Sequence, residues 1–131
     1  MDKTFKKQAL EWFERGRHDI DTAQLLYDER GYADIIVYHI QQALEKYLKG
    51  YLVLRGKKPP KIHELDTLLN QVVVFDKSII NFLELCEKAS RYYIEDRYPP
   101  GPPVDYEYDE IKTDLKKAWE LTRSIEKKAG I

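Results

Sequence analysis

The sequence of 131 residues has a single cysteine, Cys86, and six glycines that all stand alone. One cysteine excludes an intramolecular disulfide and a zinc site built from several thiolates, so we expect a reducing compartment, the cytoplasm. Neither the GxxxxGK[ST] nor the GxGxxG pattern of the loops that cradle phosphates occurs in the sequence. The sequence also has neither the apolar segment of a signal peptide nor the roughly 18 apolar residues of a membrane span, so no membrane association is expected.

The net charge of the chain is close to zero. Lys and Arg total 22 against 23 Asp and Glu, which gives a net charge of −1. This balance excludes a polycation that coats nucleic acid by charge alone. Hydrophobic residues make up 43% of the chain, enough for a core, and we expect a single domain over residues 1–131. The many charges and few Asn, Cys and Met residues are typical of a thermophile, which we predict as the source.

The hydrophobic pattern is helical throughout. Apolar residues recur at spacings of three and four, the period of one helical face. Gly31 and Gly56 are expected to end the first two helices, and Asp76 is expected to cap the fourth. No segment alternates like a strand, so we predict an all-α, up-and-down bundle of about five helices, four long and one short. The predicted helices cover about 4–30, 33–55, 64–74, 77–92 and 109–128.

The second predicted helix carries apolar residues on more than one side. Its main stripe faces the predicted core, and Ile35, Tyr38 and Val53 lie on the opposite side among polar residues. An apolar face of this kind is typical of a surface that packs on another chain. We therefore predict a homodimer.

The first concentration of charge runs from Lys46 to His63, where six cations occur without an acidic residue. A cationic cluster at a helix end and a proline-restrained loop can attract phosphate oxygens. A solubilising surface loop is the alternative. The cations are Lys46, Lys49, Arg55, Lys57, Lys58 and Lys61.

A second candidate segment runs from Arg91 to Tyr98 and alternates arginines with aromatic rings. Such alternation is found where proteins stack bases and grip phosphates. However, residues 91–110 contain only two arginines, Arg91 and Arg97, against six acids. Arginine–carboxylate pairs that hold the loop down are the alternative.

Other kinds of chemistry find little support in the sequence. Glu14, His18 and Asp21 share one helical face, but that face points away from the apolar stripe, so we expect solvated charges and no metal site. His39 has no ligand partner three or four residues away, and we expect no metal there either. Cys86 lies on the apolar face of its helix and is expected to stay a buried, neutral thiol. No cofactor is predicted.

A polar set on the second helix has two interpretations. Gln42 and Lys46 are four positions apart, as are Glu45 and Lys49, and residues at this spacing lie on the same side of a helix. The four side chains therefore form one patch opposite the predicted core stripe. The patch would line a ligand groove. Alternatively it would form a dimer interface, or a Glu45–Lys49 surface ion pair that contributes only about 0.3 to 0.5 kcal/mol.

Several short motifs follow one another in a fixed order along the chain. They are Asp19-Ile20 with Ala23 and Leu25-Leu26; Gln42-Ala43 with Glu45-Lys46 and Lys49; His63 with Leu65 and Leu68-Leu69; Arg91-Tyr92; and Tyr98-Pro99. The most specific part of this pattern is the spacing from the Gln-Ala-x-Glu-Lys helix to the His-x-Leu turn. Taken together, the motifs resemble the HEPN (higher eukaryotes and prokaryotes nucleotide-binding) domain family, and the resemblance covers nearly the whole chain.

This resemblance implies a bundle of about five helices that commonly dimerises and associates with nucleotides or RNA. Some members of the family are metal-independent ribonucleases. Others pair with a small nucleotidyltransferase in toxin–antitoxin or defence modules. The ribonuclease branch is marked by Arg, four to six residues, then His, and no arginine of this sequence has a histidine at that spacing.

The sequence thus leads to three hypotheses. The first is a nucleotide- or RNA-binding accessory protein that works with a nucleotidyltransferase partner. The second is a metal-independent ribonuclease that uses His63 with Arg91 or Arg97, and the third is a dimeric scaffold without catalysis. The binding residues in the first hypothesis are Gln42, Lys46, Lys49, His63, Arg91, Arg97 and Tyr98.

Overall fold

The structure, a computed structural model, describes residues 3–95 and 106–131, with side chains for all of them except 92–95. Five α-helices and one 3-10 helix make up the described chain, and these residues contain no strand. The all-α prediction is confirmed. The elements are α1 (Lys3–Asp28), α2 (Ala33–Leu54), α3 (Leu65–Val73), a 3-10 helix (Lys77–Phe82), α4 (Leu83–Glu95) and α5 (Tyr108–Ala129).

Helix α2 is the centre of the bundle. It contacts α1, α3, α4 and α5, and most of its residues from Ile36 to Leu54 are buried. Val53, which we had predicted to face a second subunit, is only 3% exposed within the chain. That part of the dimer argument was wrong, because α2 is covered on several sides by its own neighbours. Ile35, at the beginning of α2, is 42% exposed.

Two glycines allow α1 and α2 to approach closely. A Cβ atom on Gly16 would lie 2.6 Å from Cδ2 of Tyr47, and one on Gly50 would lie 2.6 Å from Cε1 of Phe13. The rings of Phe13 and Tyr47 stack between these positions, with their centroids 5.4 Å apart. Each glycine thus makes room for an aromatic ring of the facing helix.

The ends of the first two helices differ from each other. Gly56 adopts the left-handed conformation (φ 78°) expected of a glycine after a helix. At the end of α1, however, the left-handed residue is Arg30 (φ 58°), and Gly31 donates its N–H to the carbonyl of Leu26 at 2.6 Å. The helix ends at Asp28, two residues before the predicted end, and the left-handed residue that follows it is Arg30.

Asp76 caps the fourth predicted helix, as expected, although that helix begins as the 3-10 segment. Its Oδ1 accepts hydrogen bonds from the backbone N–H (3.1 Å) and the hydroxyl (2.8 Å) of Ser78. Lys128 of α5 places its ammonium 2.5 Å from Oδ2. Partial burial raises the pKa of Asp76, but the hydrogen bonds from Lys128 and Ser78 outweigh burial and hold it below its usual value.

We expect Asp76→Asn to lower the free energy of unfolding by about 1 kcal/mol at neutral pH, because it removes the charge from this cap. Since the pKa of Asp76 is depressed in the folded state, its stabilisation is fully present above 3.8, the usual aspartate value, and is lost as the pH falls through the folded pKa. Urea unfolding of both proteins across this range measures the effect. A difference that does not shrink on acidification contradicts it.

The single cysteine is part of the core. Cys86 is fully buried, and burial raises its pKa to about 12, with further contributions from Asp66 and Glu87. The prediction of a buried thiol is confirmed. No helix in the described part of the chain is long and apolar enough to cross a bilayer.

Candidate functional site

A cluster of polar side chains crosses the packed side of α2. It comprises two rows at helical spacing, one at positions 41, 45 and 49 and the other at 39, 42 and 46. Four members, Asp19, Gln41, Glu45 and Lys49, are buried, a setting in which polar groups need partners. The polar cluster, as we call it, consists of Asp19 from α1, His39, Gln41, Gln42, Glu45, Lys46 and Lys49 from α2, and His63 from the segment before α3.

Glu45 is the centre of the first row. It is 7% exposed and accepts hydrogen bonds from Nε2 of Gln41 at 3.1 Å and from Nζ of Lys49 at 3.2 Å. Nδ1 of His63 lies 3.2 Å from each of its carboxylate oxygens. Lys49 itself is only 6% exposed. The buried carboxylate thus holds one cation from its own helix and one imidazole from the following loop.

Asp19 of α1 is the carboxylate that contacts the second row, as Glu45 does in the first. Its Oδ1 lies 2.9 Å from Nδ1 of His39, and its Oδ2 accepts a hydrogen bond from the ammonium of Lys46. Gln42 donates from Nε2 to Oε1 of Gln41 at 2.6 Å and so joins the hydrogen bonds around Glu45. The cluster therefore consists of two neighbouring hydrogen-bonded groups on α2, one around Asp19 of α1 and one around Glu45 that includes His63 from the segment before α3.

Both histidines meet a carboxylate through Nδ1. A neutral imidazole whose Nδ1–H is donated to a carboxylate has the lone pair on Nε2, where it can accept a proton or a hydrogen bond. The side chain of His63 is 51% exposed and that of His39 is 24% exposed. His63 is therefore the member of the cluster that is best placed to contact a ligand from solution.

The polar face that we predicted on α2 was wrongly placed opposite the core. Glu45 and Lys49 are both buried, and their ion pair lies inside the protein. Lys46 is 27% exposed and its ammonium is held by Asp19. A phosphate contact from Lys46 or Lys49 would require these ion pairs to open or to be shared. Gln42 is half-buried beside them.

Arg91 is exposed on α4, and a hydrogen bond places its neighbour against the His63 segment. The hydroxyl of Ser90 accepts from the backbone N–H of Leu65 at 2.7 Å. This bond holds α4 against the first residue of α3, two positions after His63. Arg97 and Tyr98 lie outside the described residues.

Three members of the polar cluster, Asp19, His39 and Gln41, were missed as site residues by sequence reasoning. Asp19 entered only as part of a motif, and His39 was set aside because its own helix offers no ligand partner. The partner of His39 comes from α1, 20 residues earlier in the chain. Among the described residues, no group of three or more His, Cys, Asp or Glu side chains is arranged to hold a metal ion.

Comparison with known proteins agrees with this architecture. A protein of Methanocaldococcus jannaschii named "Putative toxin MJ1304" is 25% identical in an alignment 126 residues long, and the match spans 86% of this chain and 82% of the relative. No solved structure matches the chain. The family model for the HEPN domain matches residues 9–128. The match includes nearly all of the helical bundle and all of the polar cluster, and the chain therefore belongs to the HEPN domain family.

Proposed function

We propose that this HEPN protein binds RNA or a nucleotide at the His63 edge of the polar cluster, in a toxin-like two-component module. The observation that carries this proposal is the anchoring of the half-exposed His63 ring on the buried carboxylate of Glu45. A fixed imidazole needs little further ordering when it binds a phosphate or a ribose hydroxyl, and this preorganisation favours affinity.

The loop that leads to His63 supplies positive charge. Lys57, Lys58 and Lys61 are all exposed, and Pro59 and Pro60 restrict the backbone between them. Cations near a phosphate position the nucleic acid without reading its sequence. We propose that these lysines attract the RNA and that His63 contacts it, with Gln42 and Arg91 nearby for polar recognition and charge.

The proposed biological role rests more on the similarity to a named relative than on the geometry of the site. The relative from M. jannaschii bears the name of a toxin, and HEPN proteins often pair with a second component. We propose that this protein forms a homodimer and works beside a nucleotidyltransferase-family partner.

Metal-independent RNA cleavage is the second candidate, and the carboxylate–imidazole pair favours it. Such cleavage needs a group that accepts the proton of the 2′-hydroxyl and a cation that stabilises the phosphorane. Nε2 of a neutral His63, oriented by Glu45, has the chemistry of that base. Arg91 is the described arginine on the helix packed against this segment. Binding remains the preferred function, because the Arg-x4-6-His motif of the ribonuclease branch is absent.

A matched pair of histidine variants tests the proposal. We expect His63→Ala to weaken the binding of a short labelled RNA about tenfold, since a hydrogen bond to a charged group contributes about 1.5 to 3 kcal/mol. His18→Ala is the control, because His18 is an exposed histidine on α1 outside the cluster. Fluorescence anisotropy in the presence of a metal chelator measures both affinities.

The same samples separate the two candidates. RNA that stays intact while it binds supports the accessory role, whereas fragments formed by the wild type but not by His63→Ala support the ribonuclease. Equal affinities of His63→Ala and His18→Ala contradict a site at His63. Absence of RNA or nucleotide binding by the wild type leaves the scaffold hypothesis.

A further inference from the structure

A groove of about 690 Å³ lies between the second half of α1 and the outer side of α5. Its volume falls in the range of known ligand sites, which is about 300 to 1,000 Å³. None of its lining residues belongs to the polar cluster, and none was singled out as a binding residue from the sequence. Tyr27, Leu115 and Trp119 give it an apolar wall, and Lys112, Lys116 and Arg123 bring positive charge to it.

Trp119 is held in place within this groove. Its indole Nε1 donates a hydrogen bond to Oε1 of Gln24 on α1 at 3.0 Å. The guanidinium of Arg123 lies 5.1 Å from the ring centre, and that of Arg17 lies 5.6 Å from it. Trp119 is only partly buried. An arginine that lies over a fixed indole can form a surface on which a planar group stacks.

Lys112 and Lys116 follow one another along the rim of the groove. They are one helical turn apart, about 6 Å along the axis, and Arg123 extends the row toward the end of α5. In the described part of the chain the two lysines form no hydrogen bond or ion pair. Unpaired cations in a row beside an aromatic platform match a phosphate backbone with its bases turned inward.

The acidic residues of the groove do not cancel this charge. Asp28 and Glu120 also line it, against three cations. Asp28 accepts a hydrogen bond from Nε2 of Gln24 at 2.9 Å, so part of its acceptor capacity is already used. The groove keeps an excess of positive charge, and this excess lies on α5.

We propose that the α1–α5 groove is a second binding site, whose ligand is single-stranded RNA. Lys112 and Lys116 contact successive phosphates, and a base stacks on the Arg123–Trp119 pair. An acidic peptide could form ion pairs with the lysines, but its carboxylates would not stack on the guanidinium and the indole. The site is separate from the His63 edge, which is built from α2 and the segment before α3.

Two adjacent lysines give a matched test. Lys116 lines the α1–α5 groove, whereas Lys117 lines a different groove, beside Lys88 and Asp114. We expect Lys116→Gln to weaken the binding of a labelled oligouridylate several-fold. The slope of log affinity against log salt should also become less negative by about 0.7, the value for one phosphate contact on a single strand. Lys117→Gln should change neither quantity.

Tryptophan fluorescence reports on the stacking itself. The protein has two tryptophans, Trp12 and Trp119, and we expect the oligouridylate to quench the wild type. Trp119→Phe keeps an aromatic ring but removes this fluorophore, so the quenching should become smaller while RNA still binds. Any quenching that remains comes from Trp12, which lines a pocket beside Pro59 in the loop that leads to His63. Equal quenching of the wild type and of Trp119→Phe would show that no base stacks at Trp119 and would overturn the proposal.

The outcomes separate this site from the His63 site. Equal affinities of Lys116→Gln and Lys117→Gln for the oligouridylate overturn the proposal of a binding site in the α1–α5 groove, even if His63→Ala weakens RNA binding. A loss in Lys116→Gln that is independent of His63→Ala supports two sites. Binding of polyglutamate with no binding of oligouridylate overturns the proposal and assigns the groove to an acidic protein segment.

Discussion

Glu45→Ala is expected to lower the free energy of unfolding by about 3 to 5 kcal/mol, because it leaves a buried charge without its partner. Glu45 is 7% exposed and Lys49 is 6% exposed, and they form an ion pair inside the bundle. The variant also removes an acceptor from Gln41 and from His63. Urea denaturation followed by circular dichroism measures the loss.

A double variant distinguishes a stranded charge from a lost contact. We expect Glu45→Met combined with Lys49→Met to regain much of the stability, since apolar residues of similar volume often replace a buried ion pair at little cost. Each single methionine variant should be strongly destabilised. If the double variant is as unstable as the sum of the singles, the Lys49 charge is not the cause of the loss.

Gly50→Val is the second substitution with a large expected effect. A Cβ at this position lies 2.6 Å from Cε1 of Phe13 and 2.9 Å from Cβ of Trp12. The Trp12 atom is attached to the backbone of α1 and cannot rotate away, so α1 and α2 must separate. We expect a loss of about 3 kcal/mol, the upper part of the range for overpacked cores. Chemical denaturation measures this loss.

Space created on the facing helix should rescue this variant in part. Phe13→Leu alone is expected to destabilise, because it removes ring atoms that stack on Tyr47. Combined with Gly50→Val, the smaller side chain leaves room for the added methyl groups, so the double variant should be more stable than the sum of the two single effects. Strict additivity would show that the valine does not contact Phe13.

The local features of this protein were predictable because neighbours in sequence determine them. Apolar spacing indicated the helices. Asp76 caps its helix through a side-chain hydrogen bond, and Gly56 ends α2 because glycine tolerates a positive φ. The burial of Cys86 followed from its place on an apolar stripe. The left-handed conformation of Arg30 is the exception, since the sequence pointed to Gly31 as the residue that ends this helix.

The environment of α2 could not be predicted in the same way. A hydrophobic period identifies the stripe that faces a core, but it does not show that other helices cover the remaining sides. Four helices contact α2, and they bury Lys49, Glu45 and Val53, which the pattern assigned to a solvated or intersubunit face. Burial of a charged residue depends on partners whose positions only the packing determines.

The sequence by itself therefore determined the helices with most of their approximate ends, the burial of the thiol and the residues of the family motifs. The tertiary structure decided which polar side chains meet. His39 contacts Asp19 on α1, His63 contacts Glu45 on α2, and Trp119 donates a hydrogen bond to Gln24 on α1. Helical spacing reports only partners within about one turn, whereas these partners are 18 to 95 residues apart. Packing of the apolar stripes brings them together, so both proposed sites arise from contacts between helices.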